Sequence, residues 1–315
     1  MSAEKTELLR GHLQGWPETR AVVEAVLAQW PEHEGYLLKS MQARSAAVMA
    51  ATEAAARASR NLMDGEEARF AADYRWTCHR LRDEELFFHR EGRYRLSTFA
   101  EASTEVYSNA EYMDHYVSGL LLTQVLWFNH AATFEMFLNR VVGAATEPFR
   151  YLEVGPGHGL MVFFAAQAPF ARSLEAWDVS EVSLRETQAA LSRLSLAKPV
   201  SLVQTDILEA KEPSSKFDLI VISEVLEHLE DPAAALRFLR RAVSDKGRVF
   251  INVPLNSPSP DHIFLLSTPE EATRLAEEAG FRVETLELFA TQGARIERAL
   301  ATQISVSAGM IVAPA

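Results

Sequence analysis

Cysteine is nearly absent. Cys78 is the one cysteine in 315 residues, which excludes an intrachain disulfide framework and any paired-cysteine metal site. Long apolar runs are lacking as well. No stretch reaches the ~20 residues that cross a bilayer, and the opening MSAEKTELLRGHLQGW has no apolar centre of a secretory leader. The expectation is a cytoplasmic protein without a membrane partner. Basic charge is in short supply: the net charge is −12, with 15 basic against 21 acidic residues through Glu147 and 16 against 22 beyond it. Nucleic-acid binding depends on neutralising phosphates, so neither half offers the expected footprint. Arg237, Arg240 and Arg241 read as the solvated face of a helix. Repeats and low-complexity linkers are missing too. What remains has globular composition, 48% hydrophobic, enough for one large or two ordinary domains.

The chain divides by pattern near residue 145. Residues 1–145 read as a mainly helical domain. PETRAVVEAVLAQW sets Val22, Val23, Val26, Leu27 and Trp30 on one stripe at helical spacing. Residues 36–62 are alanine-rich and favour helix, and a further helix is expected over 66–82. LFFHREGRYRLSTF reads as a helix end, a turn and a short strand, and the segment from Asn109 to Val142 as one or two long helices.

Residues 146–315 alternate short apolar runs with helical stretches. RYLEVG, SLEAWDV, VSLVQTD, FDLIVISE and GRVFINV read as buried strands; LMVFFAAQ, VSLRETQAALSRL and PAAALRFLRRAV read as the helices between them. That alternation is the signature of an α/β fold with a doubly wound, mostly parallel sheet. RVETLELFAT and ISVSAGMIVA add two late strands, expected as an antiparallel edge hairpin that brings the sheet to seven strands.

In such sheets ligands bind beyond the carboxyl ends of the strands. Gly155, Gly157 and Gly159 stand there, between the first strand and the first helix, where missing side chains let a ligand approach the backbone. Dinucleotide sites use similar glycines, so the neighbouring acids decide. Asp178, followed by Val179, ends the second strand and suits a ribose diol. Asp206, followed by Ile207, ends the third and suits an adenine amino group, with the apolar residue packing on the ring. Glu153 lies two residues before the first glycine, where a carboxylate would repel a diphosphate but welcome an ammonium group. S-adenosylmethionine, with adenine, ribose, a sulfonium and an amino-acid head, fits this set.

LEVGPGHG, WDVS, QTDI and FDLIVISEVLEHLEDP, in that order, resemble the successive motifs of class I S-adenosylmethionine-dependent methyltransferases, over residues 150–315. The resemblance implies a Rossmann-like methyltransferase domain. It implies that Glu153, Gly155, Gly157 and Gly159 surround the methionine portion, Asp178 the ribose, Asp206 and Ile207 the adenine, and that Ser223 and Glu224 lie beside the transferable methyl. The N-terminal region is similar to the dimerisation regions of some small-molecule methyltransferases, with a winged-helix-like element, which implies a lid and a homodimer.

Glu224, Glu227 and His228 are spaced i, i+3 and i+4, so on a helix they would share a face, and His262 follows the fifth strand. Two carboxylates and two imidazoles could enclose a divalent ion such as Mg, Mn or Fe and lower the pKa of an acceptor hydroxyl. ExxEH with a distant histidine is similar to the metal site of small-RNA 2′-O-methyltransferases, and ExxEH also resembles the motif of ubiquinone-pathway O-methyltransferases. Without a metal, His228 or His262 could act as general base, with Glu224 beside the methyl. For the acceptor, Tyr112 and Tyr116 at i, i+4 and Trp127 and His130 at i, i+3 are the candidate lining. His89 and His115 read as surface residues, and His158 as a spacer within the glycine turn.

The leading expectation is methylation of a small molecule, at oxygen before carbon or nitrogen, in specialised metabolism. The alternatives are RNA ribose methylation and a methyltransferase-like binding protein without activity.

Overall fold

In the computed structural model residues 3–315 are described. The N-terminal third is helical: α1 (Ala3–His12), α2 (Pro17–Gln29), α3 (Glu34–Gln42), α4 (Ala46–Met63), α5 (Glu67–Glu91), α6 (Phe99–Ala102), α7 (Ala110–Leu126) and α8 (Phe128–Met136). Local chemistry sets the boundaries. Ser45 accepts a hydrogen bond from the Val48 N–H and starts α4, so the alanine-rich stretch is two helices, broken at residues 43–45. Gly92, at φ +70°, ends α5 in the left-handed cap that glycine permits. The helix runs on past the expected 82, and the Glu-Gly turn stands where the sequence pattern placed it. Residues 93–98 form no strand; Thr98 and Glu101 build a capping box for α6 instead. The wing expected there is therefore absent.

The second half follows the alternation read from the sequence: β1 (Phe149–Val154), α9 (Leu160–Gln167), β2 (Ala171–Asp178), α10 (Glu181–Arg193), β3 (Val200–Gln204), β4 (Phe217–Ser223), α11 (Pro232–Ala242), β5 (Val243–Leu255), α12 (Pro269–Glu278), β6 (Phe281–Ala290), α13 (Ile296–Ala301) and β7 (Val306–Pro314). The seven strands form one sheet in the order β3-β2-β1-β4-β5-β7-β6. Pairs β1–β2, β1–β4, β2–β3 and β4–β5 are parallel. β7 enters between β5 and β6, and residues 291–305, which include α13, connect the last two strands. The short hairpin connection expected there is thus a longer excursion.

Both faces of the central strands are covered, as parallel sheets require. Leu152, Ile220, Val221, Ile222, Val249, Phe250 and Ile251 are fully buried, each such side chain contributing roughly 1.5–3 kcal/mol. Strand order reverses between β1 and β4, so their carboxyl ends form the switch point where ligands bind in this architecture.

The chain forms two compact units. One comprises residues 1–135, 256–265 and 289–307; the other comprises 136–255, 266–288 and 308–315. A single cut at 145 does not describe this division, because two later segments belong with the N-terminal helices. Within the helical unit, buried Glu53 on α4 accepts the Glu18 and Thr19 N–H groups at 2.9 Å each and the Thr19 hydroxyl at 2.7 Å. Its charge thereby sits at the positive end of α2.

Candidate active site at the strand ends

β1 stops at Val154, and Gly155 donates its N–H to the Trp177 carbonyl at 2.8 Å. Gly155 has φ +69°, and a Cβ placed there would lie 2.5 Å from Cγ2 of Val225. The turn is therefore packed directly under the residues that follow β4, and a side chain is excluded on both conformational and steric grounds. Thr187 of α10 holds the far side of the turn by donating its hydroxyl to the Gly157 carbonyl at 2.8 Å. His158, whose Nδ1 accepts the Leu160 N–H at 3.3 Å, is driven by burial down to a pKa of about 4 and stays neutral within the turn.

The three candidate acids differ in setting. Glu153 is 4% exposed and accepts the Tyr151 hydroxyl at 2.7 Å. Burial pushes its carboxyl up to about 8, opposed by the bond from Tyr151. Asp178 is half-buried at the end of β2; its two oxygens accept the Ser180 N–H at 2.8 Å and the Ser183 hydroxyl at 2.7 Å. A carboxylate has further lone pairs, so this fixed orientation leaves capacity for a diol. Asp206 lies two residues beyond β3 rather than at its end, and accepts the Leu208 N–H at 2.8 Å. Ile207 is buried, while Val179 and Leu208 stand 49% and 42% exposed beside these acids. Leu208 was not among the residues read from the sequence; its signal was an apolar residue two places after a strand-end acid.

The ExxEH segment is not a helix. β4 ends at Ser223, Glu224 adopts φ +54°, and Leu226–His228 form a single 3-10 turn. Glu224, Glu227 and His228 consequently do not share a helical face. The left-handed residue turns the backbone before any helical repeat can begin. Asn252 of β5 donates to Glu224 Oε1 at 2.7 Å and to Ser223 Oγ at 3.0 Å. Burial raises the Glu224 carboxyl to about 7, and the Asn252 bond opposes that rise. Glu227 is buried, with Oε1 3.8 Å from His228 Nε2. Of the four metal candidates these two stand together in the sheet unit.

His262 belongs to the helical unit. Its Nδ1 lies 2.6 Å from the Ser257 carbonyl, which can only accept, so Nδ1 carries a hydrogen. The Ser257 N–H donates to the Tyr94 hydroxyl at 3.2 Å, and the Tyr94 ring meets His262 edge-on at 5.7 Å. Tyr116 is buried, its hydroxyl 2.5 Å from Ser259 Oγ and 2.9 Å from Asp261 Oδ1. Tyr112, its ring 5.9 Å from that of Tyr116, lines a cavity of about 190 Å³ together with Arg80, Glu84 and Arg95. Trp127 and His130 are engaged elsewhere. Trp127 donates to the Tyr74 hydroxyl at 3.0 Å, and His130 Nδ1 lies 2.9 Å from Thr123 Oγ1. His89 is exposed as expected, whereas His115 is not a plain surface residue: its Nδ1 lies 2.6 Å from buried Asp73. Burial raises the Cys78 thiol to about 12, which disfavours the reactive thiolate in this half-buried residue.

A family profile described as a methyltransferase domain matches residues 127–290. The ubiquinone biosynthesis O-methyltransferase of Thiobacillus denitrificans is 27% identical over 157 residues, covering 44% of this chain and 66% of that protein. Its counterpart in Ralstonia nicotianae is 30% identical over 103 residues, covering 33% and 42%. The chain thus spans less than two thirds of these curated relatives. Among solved structures, mitomycin 7-O-methyltransferase superimposes with a TM-score of 0.51 at 15% identity, over 79% of this chain and 71% of that one. That likeness concerns the fold.

Proposed function

From the premise that this chain belongs to the class I S-adenosylmethionine-dependent methyltransferase family, we propose that it transfers the cofactor's methyl group to a hydroxyl oxygen of a small molecule. One observation carries the reading. The glycine turn packs on Val225, follows the strand that buries Glu153, and stands next to the strand that ends in Asp178, with Asp206 just beyond the strand after that. A diphosphate on that turn would meet a buried carboxyl, whereas a sulfonium and an ammonium would be attracted to it. The exposed Val179 and Leu208 offer apolar surface next to the two acids, as a purine ring requires.

When bound, S-adenosylmethionine supplies an electrophilic methyl on sulfur. The protein's part is to orient, to exclude water and to take a proton from the acceptor. Glu153 is assigned to the amino-acid head, Asp178 to the ribose, Asp206 and Ile207 to the adenine, and Ser223 and Glu224 to the methyl end. His228 and His262 are the candidate bases. Methylation at oxygen is favoured because both curated relatives described above carry that activity in their names. Tyr112 and Tyr116 are the preferred acceptor contacts. Glu227 and His228, which stand together in the sheet unit, could also contribute oxygen and nitrogen donors to a divalent ion such as Mg, Mn or Fe. Such an ion would acidify an acceptor hydroxyl.

The test is direct. Titration calorimetry should show one S-adenosylmethionine per chain, and a panel of phenolic and enolic acceptors should yield S-adenosylhomocysteine and a methyl ether. A protein that binds no S-adenosylmethionine would overturn the proposal.

A further inference from the structure

Two energetically unfavourable features meet at one hydrogen bond in the sheet unit. Glu224 holds φ +54°, a region that residues with a Cβ enter at a cost. Asn252 is 3% exposed, and its Oδ1 is buried without a hydrogen-bond partner. The bond between them, Asn252 Nδ2 to Glu224 Oε1 at 2.7 Å, explains both. If the amide were turned over, its oxygen would face a carboxylate oxygen, so the orphaned Oδ1 is the consequence of pointing the N–H groups at Glu224 and Ser223. The backbone adds a third link: Glu224 donates its N–H to the Asn252 carbonyl at 3.0 Å, continuing the β4–β5 ladder one residue past the Ser223–Asn252 pair.

The corner so fixed adjoins the cofactor turn. Val154 of β1 is in register with Ile222 of β4, and Val225 packs where a Gly155 side chain would stand. A carboxylate held at this corner lies beside the backbone that receives the methionine portion under the proposed function, on which this inference rests. We infer that Asn252 is a positioning residue for the methyl end of the cofactor: it fixes the Glu224 carboxylate at the strained backbone corner that follows β4. Strain of this kind collects where a group must be presented rather than relaxed.

The experiment compares S-adenosylmethionine with S-adenosylhomocysteine, which lacks the sulfonium charge. Dissociation constants for both are measured by calorimetry on the full chain, on Asn252→Ala, on Glu224→Ala and on the double variant. Loss of one charge-assisted orienting bond should weaken S-adenosylmethionine about tenfold and S-adenosylhomocysteine less than about threefold. In the Glu224→Ala background, Asn252→Ala should add less than about twofold, because its partner is already gone. Equal losses for both ligands, or full additivity of the two substitutions, would overturn the inference and leave Asn252 a packing residue. Should Asn252→Ala not fold, Asn252→Ser carries the same expectations with a smaller change. If the unaltered chain binds neither ligand, the proposed function fails instead, and the two failures are distinct.

Discussion

Glu153 offers a measurement that joins stability, protonation and cofactor capture. Its carboxyl is buried in the first strand, Ala176 and Val221 are its register partners on the flanking strands, and Tyr151 donates its hydroxyl to it. Burial moves its pKa from 4.5 to about 8. The folded state therefore binds this proton more tightly than the unfolded chain does. The associated stabilisation is complete below about pH 4.5 and is lost as pH climbs through 8, amounting to about 5 kcal/mol. In the cofactor-free protein the thermal midpoint should fall between pH 5 and pH 8.5, and Glu153→Gln should flatten that dependence. Cationic groups bound beside Glu153 would favour its ionised form. At pH 6.5 the free carboxyl is almost wholly protonated, so binding should expel close to one proton. Affinity should rise by up to about tenfold per pH unit until about pH 8. Calorimetry in buffers of different ionisation enthalpy reads the proton directly. Binding without proton release, or an unaltered proton count in Glu153→Gln, would refute the placement of Glu153 against the cofactor's positive charges.

Asp178→Ala should weaken S-adenosylmethionine about a hundredfold, the value of two charge-assisted bonds to a diol, with little change in thermal midpoint because Asp178 is half-buried; calorimetry and a melting curve check both. Gly155→Ala should lose cofactor binding and destabilise the fold by more than about 2 kcal/mol, since φ +69° and a 2.5 Å approach to Val225 act together. Adding Val225→Ala should restore part of the stability but not the conformational term. Cys78 should resist thiol reagents in the native protein and react only on unfolding, given its burial and raised pKa. For the divalent ion, elemental analysis of purified protein and turnover after chelation should both respond; activity unchanged in chelator would remove the metal from the proposal.

Much of the sheet was legible because it rests on period and punctuation. Apolar runs of strand length bounded by helical repeats gave the parallel core, and glycines at alternate positions gave the turn after β1. Glu224 was misplaced because the spacing i, i+3, i+4 is the same whether or not a helix follows. The left-handed Glu224 is hydrogen-bonded to Asn252, which lies far off in sequence. Asn252 itself left no trace, being one polar residue within a buried apolar strand. Tyr94 was misread for the opposite reason. The Glu-Gly turn after α5 is real, but the following Arg-Tyr-Arg alternation reflects a buried ring flanked by solvated arginines, not a strand. The late segments 256–265 and 289–307 carry no local signature of the unit they join, because that choice is made by long-range partners such as Tyr116 for Asp261 and Asn129 for Ser307.

The discontinuity of the two units bears on how the polypeptide is made. Tyr116 is synthesised well over a hundred residues before Asp261, which accepts its hydroxyl, and Ser259, which hydrogen-bonds to it, and Asn129 waits still longer for Ser307. On the ribosome, the helical portion persists half-finished, its buried hydroxyls and amides solvated, until the segments that hold Asp261 and Ser307 have been made. A genetic cut after the eighth helix would strand those groups permanently, so the amino-terminal segment is not a portable module that can be grafted onto another catalytic sheet.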